Sequence, residues 1–369
     1  MNLLFPSPNF TPETQFENPI NTDITHISKY ILDKVNKNII NGEISNKSTW
    51  FYISQMGHKG LLNCIEKNDP EALNDFLLNL HNRGALLGMD QHAHATEKLI
   101  NDEKKRESDG KMIYRMLLAF ASSRAICRLY NPEQKGNEPY LEKNLASEYL
   151  KPSMLSLNLK KNLPCTSYNK FGLVTNVGTL SSRDIINLGY AKEVINQCNS
   201  NNYSGICEIG GGFGKLAYFL DGVFQLPYTI IDLPVVNILQ YFLLKSNGIN
   251  VTLWEDRQIS NNINLLNAFS KNHEYPLKNH LFVNADSFVE MSEDTQNTYF
   301  ELIAKNKGHL LSINHEADKI MTPTGDRQQY KINRIENYGY KKVSRHLFWE
   351  RSGYAVELYV PIDTPNGKT

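Results

Sequence analysis

The chain has 369 residues and carries 39 Lys plus Arg against 39 Asp plus Glu, a formal net charge of zero. That balance offers no basic footprint for a nucleic-acid backbone, so DNA and RNA are not expected partners. A hydrophobic share of 41% supports real cores, and the length suits two domains. The scattered cysteines (Cys64, Cys127, Cys165, Cys198 and Cys207) include no CxxC pair. Neither a disulfide framework nor a zinc knuckle is therefore expected, and reduced thiols fit a cytoplasmic location. The N-terminus lacks the basic and apolar regions of a secretory signal. The most apolar stretch, Ile113 to Cys127, is broken by Arg115 and Arg124 and is too short to span a bilayer.

Residues 1–20, with Pro6, Pro8, Pro12 and Pro19, read as an extended lead-in. Between Ile24 and Ile40, Ile27, Ile31, Val35 and Ile39 or Ile40 recur at helical spacing. A second helical stretch follows Ser48, around Trp50, Phe51, Ile53 and Met56. Asp69-Pro70-Glu71 marks a helix start, with Asp69 as cap and Pro70 in the first turn. Residues 110–129 form a further helix with Met112, Met116, Phe120 and Ile126 near one face. This gives a mainly helical N-terminal domain over 21–165, followed by a second domain over 166–362 and a tail over 363–369.

After Pro164 the pattern changes. Short β-type runs flank Gly172, and Ser181-Ser182-Arg183-Asp184 opens a helix to about Asn196. Strands are expected at Ile206–Ile209, Tyr228–Ile231, Ile249–Leu253, His280–Val283 and His309–Ile313. Helices are expected from Lys215, over Val235–Lys245, over Asn264–Phe269 and over Thr295–Ala304. Phe348–Glu350 and Ala355–Val360, joined across Arg351-Ser352-Gly353, read as a terminal antiparallel hairpin. Alternation at this spacing predicts an α/β fold, a parallel sheet with helices on both faces.

The richest segment is Glu208-Ile209-Gly210-Gly211-Gly212-Phe213-Gly214, placed between a strand and a helix. Gly210 can make the tight turn, Gly212 leaves room for a ligand, and Gly214 lets the helix start close to the strand. A dinucleotide fingerprint fails in register, because Lys215 stands where its third glycine belongs. A phosphate loop also fails, with Ile209 at its first position and Leu216 at its last. What remains, an acid followed by alternate glycines, resembles motif I of class I methyltransferases. The resemblance implies a Rossmann-like class I methyltransferase sheet with a C-terminal antiparallel hairpin, and S-adenosylmethionine as cofactor. Glu208 suits the ammonium and sulfonium of that ligand and would repel a pyrophosphate; the bland reading is an acid at a strand end. Asp232, in Ile231-Asp232-Leu233-Pro234, is an acceptor-only group suited to two ribose hydroxyls, or else a helix cap. Trp254 and Glu255 close the third strand, where Trp254 packs on an adenine or serves as core, and Glu255 accepts from ribose or adenine.

Gly-Gly-Gly-x-Gly followed by Asp-Leu-Pro also looks like the small-molecule O-methyltransferases of the caffeate and polyketide type. A longer ordered set covers roughly residues 70–360. It comprises Leu77-Leu78-Asn79-Leu80-His81-Asn82-Arg83-Gly84, Phe171-Gly172, Leu180-Ser181, Asn284-x-x-Ser287-Phe288-x-Glu290-Met291 and Ser312-Ile313-Asn314. That ordering is similar to a bacterial sugar O-methyltransferase family tied to surface-polysaccharide synthesis. It implies a sugar or other glycan hydroxyl as acceptor, although Phe171-Gly172-Leu173 stands where the family has Gly-Asn-Pro.

Methyl transfer needs an aligned acceptor hydroxyl and a group to take its proton. After the fourth strand, Asn284 and Ser287 are candidates to hydrogen-bond cofactor or acceptor, and Glu290 is a candidate base. After the fifth strand, His315 is the leading candidate base, its bland counterpart being an exposed loop histidine. Asp90-Gln91-His92-Ala93-His94 puts its histidines on different faces of a helix, so no metal is expected there. The helical domain is expected to cap the acceptor side or make a homodimer contact. Two rival readings stand: methylation of a phenol or another natural-product hydroxyl, and a non-catalytic cofactor-binding or assembly subunit.

Overall fold

The computed structural model describes residues 7–8, 10–17, 24–35, 57–80, 99, 101–127, 145–166, 170–254, 262–269, 276–316, 319–322, 325–328 and 331–362. The helix expected after Ser48, the Asp90–His94 segment and Glu255 lie outside the described residues.

The N-terminal half supplies α1 (Thr25–Lys34), α2 (Lys59–Glu66), α3 (Pro70–Leu78), α4 (Glu103–Ser123) and α5 (Ala146–Leu155). Asp69 caps α3, its Oδ1 accepting from the backbone N–H groups of Glu71 and Ala72 at 3.0 and 3.1 Å. The fourth helix starts earlier than its apolar pattern shows. Asp102 caps it at Lys105 N, and its charged first turns hide it from a reading of hydrophobic period. Within the expected lead-in, Thr14–Glu17 is a strand, β1, paired antiparallel with β2 (Lys170–Leu173). A short edge strand with a single partner leaves little trace in periodicity.

The second half alternates. It runs α6 (Ser182–Ser200), β3 (Gly205–Ile209), α7 (Lys215–Leu220), β4 (Tyr228–Asp232), α8 (Pro234–Ser246), β5 (Val251–Leu253) and β6 (Ile263–Asn267). Then come β7 (His280–Ala285), α9 (Glu293–Asn306), β8 (His309–Asn314), the β9–β10 pair (Lys319–Thr322, Gly325–Gln328), β11 (Tyr340–Leu347) and β12 (Ala355–Pro361). A capping box opens α6: Ser181 and Asp184 satisfy each other's backbone N–H groups.

Eight strands form one sheet in the order β11-β12-β8-β7-β3-β4-β6-β5. Neighbours from β8 to β5 are parallel, while β12 runs antiparallel between β8 and β11. Strand alternation serves two cores. Ile206, Ile230, Leu281 and Leu311 face the one that includes the N-terminal helices, whereas Cys207, Ile231, Phe282 and Leu310 face the one built with α9. Tyr30 of α1 stacks on Tyr241 of α8 at 5.0 Å, so the helical half shares a continuous core with the sheet.

Two expectations are corrected. Residues 264–269 were expected to be helical, but Ile263–Asn267 is strand β6, buried throughout. A five-residue apolar run is too short for periodicity to tell helix from strand. The terminal hairpin exists, but its first strand is Tyr340–Leu347, and Phe348–Glu350 lies in the connection. Phe348 and Glu350 are buried against α6, where Phe348 stacks on Tyr190 and Glu350 pairs with Lys192. Their alternation reflects that docking rather than a strand.

Candidate active site

The chain order of the strands reverses on either side of β3, which has β4 on one side and β7 on the other. Such a switch point opens a crevice beyond the C-terminal strand ends, and the glycine loop sits there. Gly210 has φ of +71°, and a Cβ on it would lie 2.2 Å from Ser287 Oγ. Only glycine fits where the loop passes so close to the segment after β7. Gly214, at φ +83°, starts α7 in the left-handed region. Lys215 follows, buried, with Nζ 3.0 Å from Asp184 Oδ1. Burial alone would raise the Asp184 carboxyl, but Lys170 and Lys215 hold it well below the usual range. The loop's exit is thereby tied to the N-terminus of α6.

A cleft of about 590 Å³, partly open to solvent, lies between this loop and α6. Its walls include Arg183, Asn187 and Tyr190 from α6, Glu208, Gly210 to Phe213 and Lys215 from the loop side, and Asp286, Ser287 and Glu290 after β7. Glu208 is 3% exposed. It accepts from Tyr228 Oη at 2.9 Å and has no ion pair among the described residues. Burial pushes its carboxyl up to about 8, against the hydrogen bond from Tyr228.

Asp232 and Leu233 lie outside that cleft wall, at the end of β4. Asp232 Oδ1 accepts from Leu233 N and Oδ2 from Gln240 Nε2, both at 2.8 Å. Burial raises its carboxyl to about 7, opposed by these donors and by the Gly212 and Gly211 amides. Gln240 Nε2 also donates to Gly212 O, Asn237 Nδ2 donates to Gln240 Oε1, and Trp254 Nε1 donates to Asn237 Oδ1. One chain of hydrogen bonds thus runs from Trp254 to the glycine loop. Asn237 and Gln240 were missed in the sequence; their signal is two polar residues one turn apart on an otherwise apolar helix.

Asn284 is fully buried, and its polar atoms are already engaged. Its Nδ2 donates to Ile209 O and Ser287 Oγ, and its Oδ1 accepts from Phe288 N and Asn314 Nδ2. It ties β7 to the end of β3 and does not face the cleft, which corrects its expected ligand contact. Ser287 remains on the wall, its Oγ donating to Ile209 O at 3.1 Å. Of the two candidate bases, Glu290 lines the cleft and His315 does not. His315 stands edge-on to Tyr354, 5.4 Å between ring centres. Burial lowers its imidazole, Asp286 pulls it back up, and Arg351 adds to the lowering. Asp286, at φ +66°, is gripped by Arg351 and by the Tyr354 hydroxyl, both from the turn between β11 and β12. The closing hairpin therefore shapes the cleft wall, a role that linear spacing does not reveal.

Among the described residues no group of three or more His, Cys, Asp or Glu is placed to hold a metal, and no helix is long and apolar enough to cross a membrane.

The strand order, the antiparallel β12 and the glycine loop at the switch point define the class I methyltransferase fold. No protein-family model matches the chain, and no curated protein matches its sequence. Among solved structures it is similar to the glycopeptide N-methyltransferase MtfA complexed with S-adenosylmethionine, at 13% identity and TM-score 0.32, covering 47% of this chain and 93% of that one. It is also similar to an S-adenosylmethionine-dependent methyltransferase from Clostridium acetobutylicum, at 12% identity and TM-score 0.33, covering 47% and 91%. A third likeness is to the methyltransferase SibL in its apo form, at 15% identity and TM-score 0.35, covering 47% and 54%.

Proposed function

We propose that this chain transfers a methyl group from S-adenosylmethionine to a sugar hydroxyl. The observation that carries the reading is Glu208, a buried carboxylate facing an open cleft with one phenol as partner and no cation from the described chain. An ammonium group is what such an acid lacks. Asp232, at the end of β4 beside the loop, is the proposed partner of the ribose hydroxyls, which would share its oxygens with Leu233 N and Gln240 Nε2.

When bound, S-adenosylmethionine supplies a methyl group activated on sulfonium. The chain's part is to hold the acceptor in line and take its proton. Glu290, on the cleft wall, is the proposed base. His315 is proposed to act on that wall through Asp286 and Tyr354. The wall favours a sugar over a phenol, because Arg183, Asn187, Asp286, Ser287 and Glu290 suit a hydroxyl-rich acceptor better than a flat ring. The helical segment over residues 21–165 is proposed as the unit that closes the acceptor side.

Isothermal titration with S-adenosylhomocysteine tests the cofactor; a wild-type protein that does not bind it overturns the reading. A panel of sugars and phenols, followed by S-adenosylhomocysteine release, tests the acceptor. Turnover on a sugar, lost in Glu290→Gln, is the expected result. Turnover on phenols alone would replace the sugar reading.

A further inference from the structure

Tyr190 is 6% exposed and lines the cleft, and its hydroxyl has no acceptor among the described residues. Burial and Asp286 hold the phenol above its ordinary range, so at neutral pH it is a donor. Arg183 and Arg351 both act on it, Arg351 from close enough to donate to the hydroxyl, but neither cation can accept its proton. A buried hydroxyl with no acceptor costs free energy unless a ligand supplies one. Arg183 lies seven residues earlier, on the same face of α6, and also lines the cleft. Its guanidinium makes no ion pair among the described residues, although Glu208, Asp286 and Glu290 share the cleft. Asp286 is taken by Arg351, and Lys215 is taken by Asp184. Arg183 is thus the cation left over, beside the donor left over.

We propose that Arg183 and Tyr190 together receive a carboxylate. A guanidinium fork matches a planar carboxylate, and one negative charge is tolerated where a dianionic phosphate would meet Glu208 and Glu290. The proposal rests on the methyltransferase reading for the source of the group. It is either the amino-acid end of the cofactor, whose ammonium Glu208 awaits, or a uronic acid on the acceptor.

Titration calorimetry separates these sources. Wild type, Arg183→Gln and Tyr190→Phe are each titrated with S-adenosylhomocysteine and with its decarboxylated form. The homocysteine complexes are then titrated with glucuronate and with glucose. If the carboxylate is the cofactor's, both variants lose about tenfold or more in affinity for S-adenosylhomocysteine and bind the decarboxylated form like wild type. If it is the acceptor's, cofactor affinity is unchanged and the preference for glucuronate over glucose disappears. Tyr190→Phe keeps the stack on Phe348 and removes only the orphan hydroxyl, so its melting temperature should not fall. Variants that bind every probe like wild type overturn the proposal. Failure of wild type to bind S-adenosylhomocysteine instead overturns the cofactor reading, and glucuronate against glucose on the free protein then decides this one.

Discussion

The two sides of the glycine loop are built on opposite principles. On the β4 side every polar group of note is satisfied by the chain itself, from Trp254 through Asn237 and Gln240 to Asp232 and the Gly212 carbonyl. On the α6 side groups are left wanting: among the described residues Glu208 has no cation and Tyr190 no acceptor. A network closed on itself holds geometry, whereas buried groups without partners mark where a ligand must supply them. The first side is a rigid frame that a nucleoside would rest on. In the proposed function, charge recognition belongs to the second.

The sharpest way to break this contrast is Glu208→Gln. A charge-assisted hydrogen bond in a buried site is worth about 2–3 kcal/mol, so S-adenosylhomocysteine affinity should fall roughly 30–150-fold. The melting temperature should hold or rise, because an unpaired buried acid is removed. Affinity within about threefold of wild type would make Glu208 structural and erase the difference between the sides. Gly210→Ala ranks next. A side chain at φ +71° is strained by about 1 kcal/mol and collides with Ser287 Oγ, so both melting temperature and affinity should drop, the latter about tenfold. An alanine variant with wild-type affinity would show that the loop does not need its close approach to the segment after β7.

Much of this was legible in the sequence, and the residues show why. Strand, glycine loop and helix followed from Glu208 to Gly214, and the parallel strands from their short apolar runs. Asp69 was read as a cap from its neighbours alone, because capping is a local event. What escaped was set by distant packing. Ile263–Asn267 became a strand only because β4 and β5 flank it. Asn284 was read as a ligand contact when its amide is spent on Ile209, Ser287 and Asn314. Arg351 and Tyr354 reach Asp286 from more than sixty positions away, a contact that spacing cannot encode.

Protonation sharpens the comparison further. Glu208 stands near 8 and Asp232 near 7, both raised by burial from 4.5 and 3.8. For a raised carboxyl the folded state holds the proton more tightly than the unfolded one. Its contribution to stability is therefore complete below about pH 4 and is lost as pH rises through 7 and 8. Ligand binding has the opposite sign. An ammonium at Glu208 favours the ionised acid, so S-adenosylhomocysteine should bind more tightly as pH climbs towards 8, releasing about one proton at pH 7 from Glu208 and about half a proton from Asp232. Titrations in buffers of different ionisation enthalpy measure that release. In Glu208→Gln it should fall to the share of Asp232, about half a proton. Release unchanged by the substitution would assign the proton to another group.

The smallest effect on affinity is expected at Asn237. Asn237→Ala removes the acceptor for the half-buried Trp254 indole and the donor to buried Gln240, and should cost about 1–3 kcal/mol of stability. Because the network positions Asp232 without lining the cleft, affinity for S-adenosylhomocysteine should stay within about threefold once the variant is folded. Denaturant melts and titration on the same preparation separate the two quantities. A stable variant with badly weakened binding would mean that the β4 side also recognises the ligand through Asn237, and that satisfaction by the chain does not separate frame from recognition here.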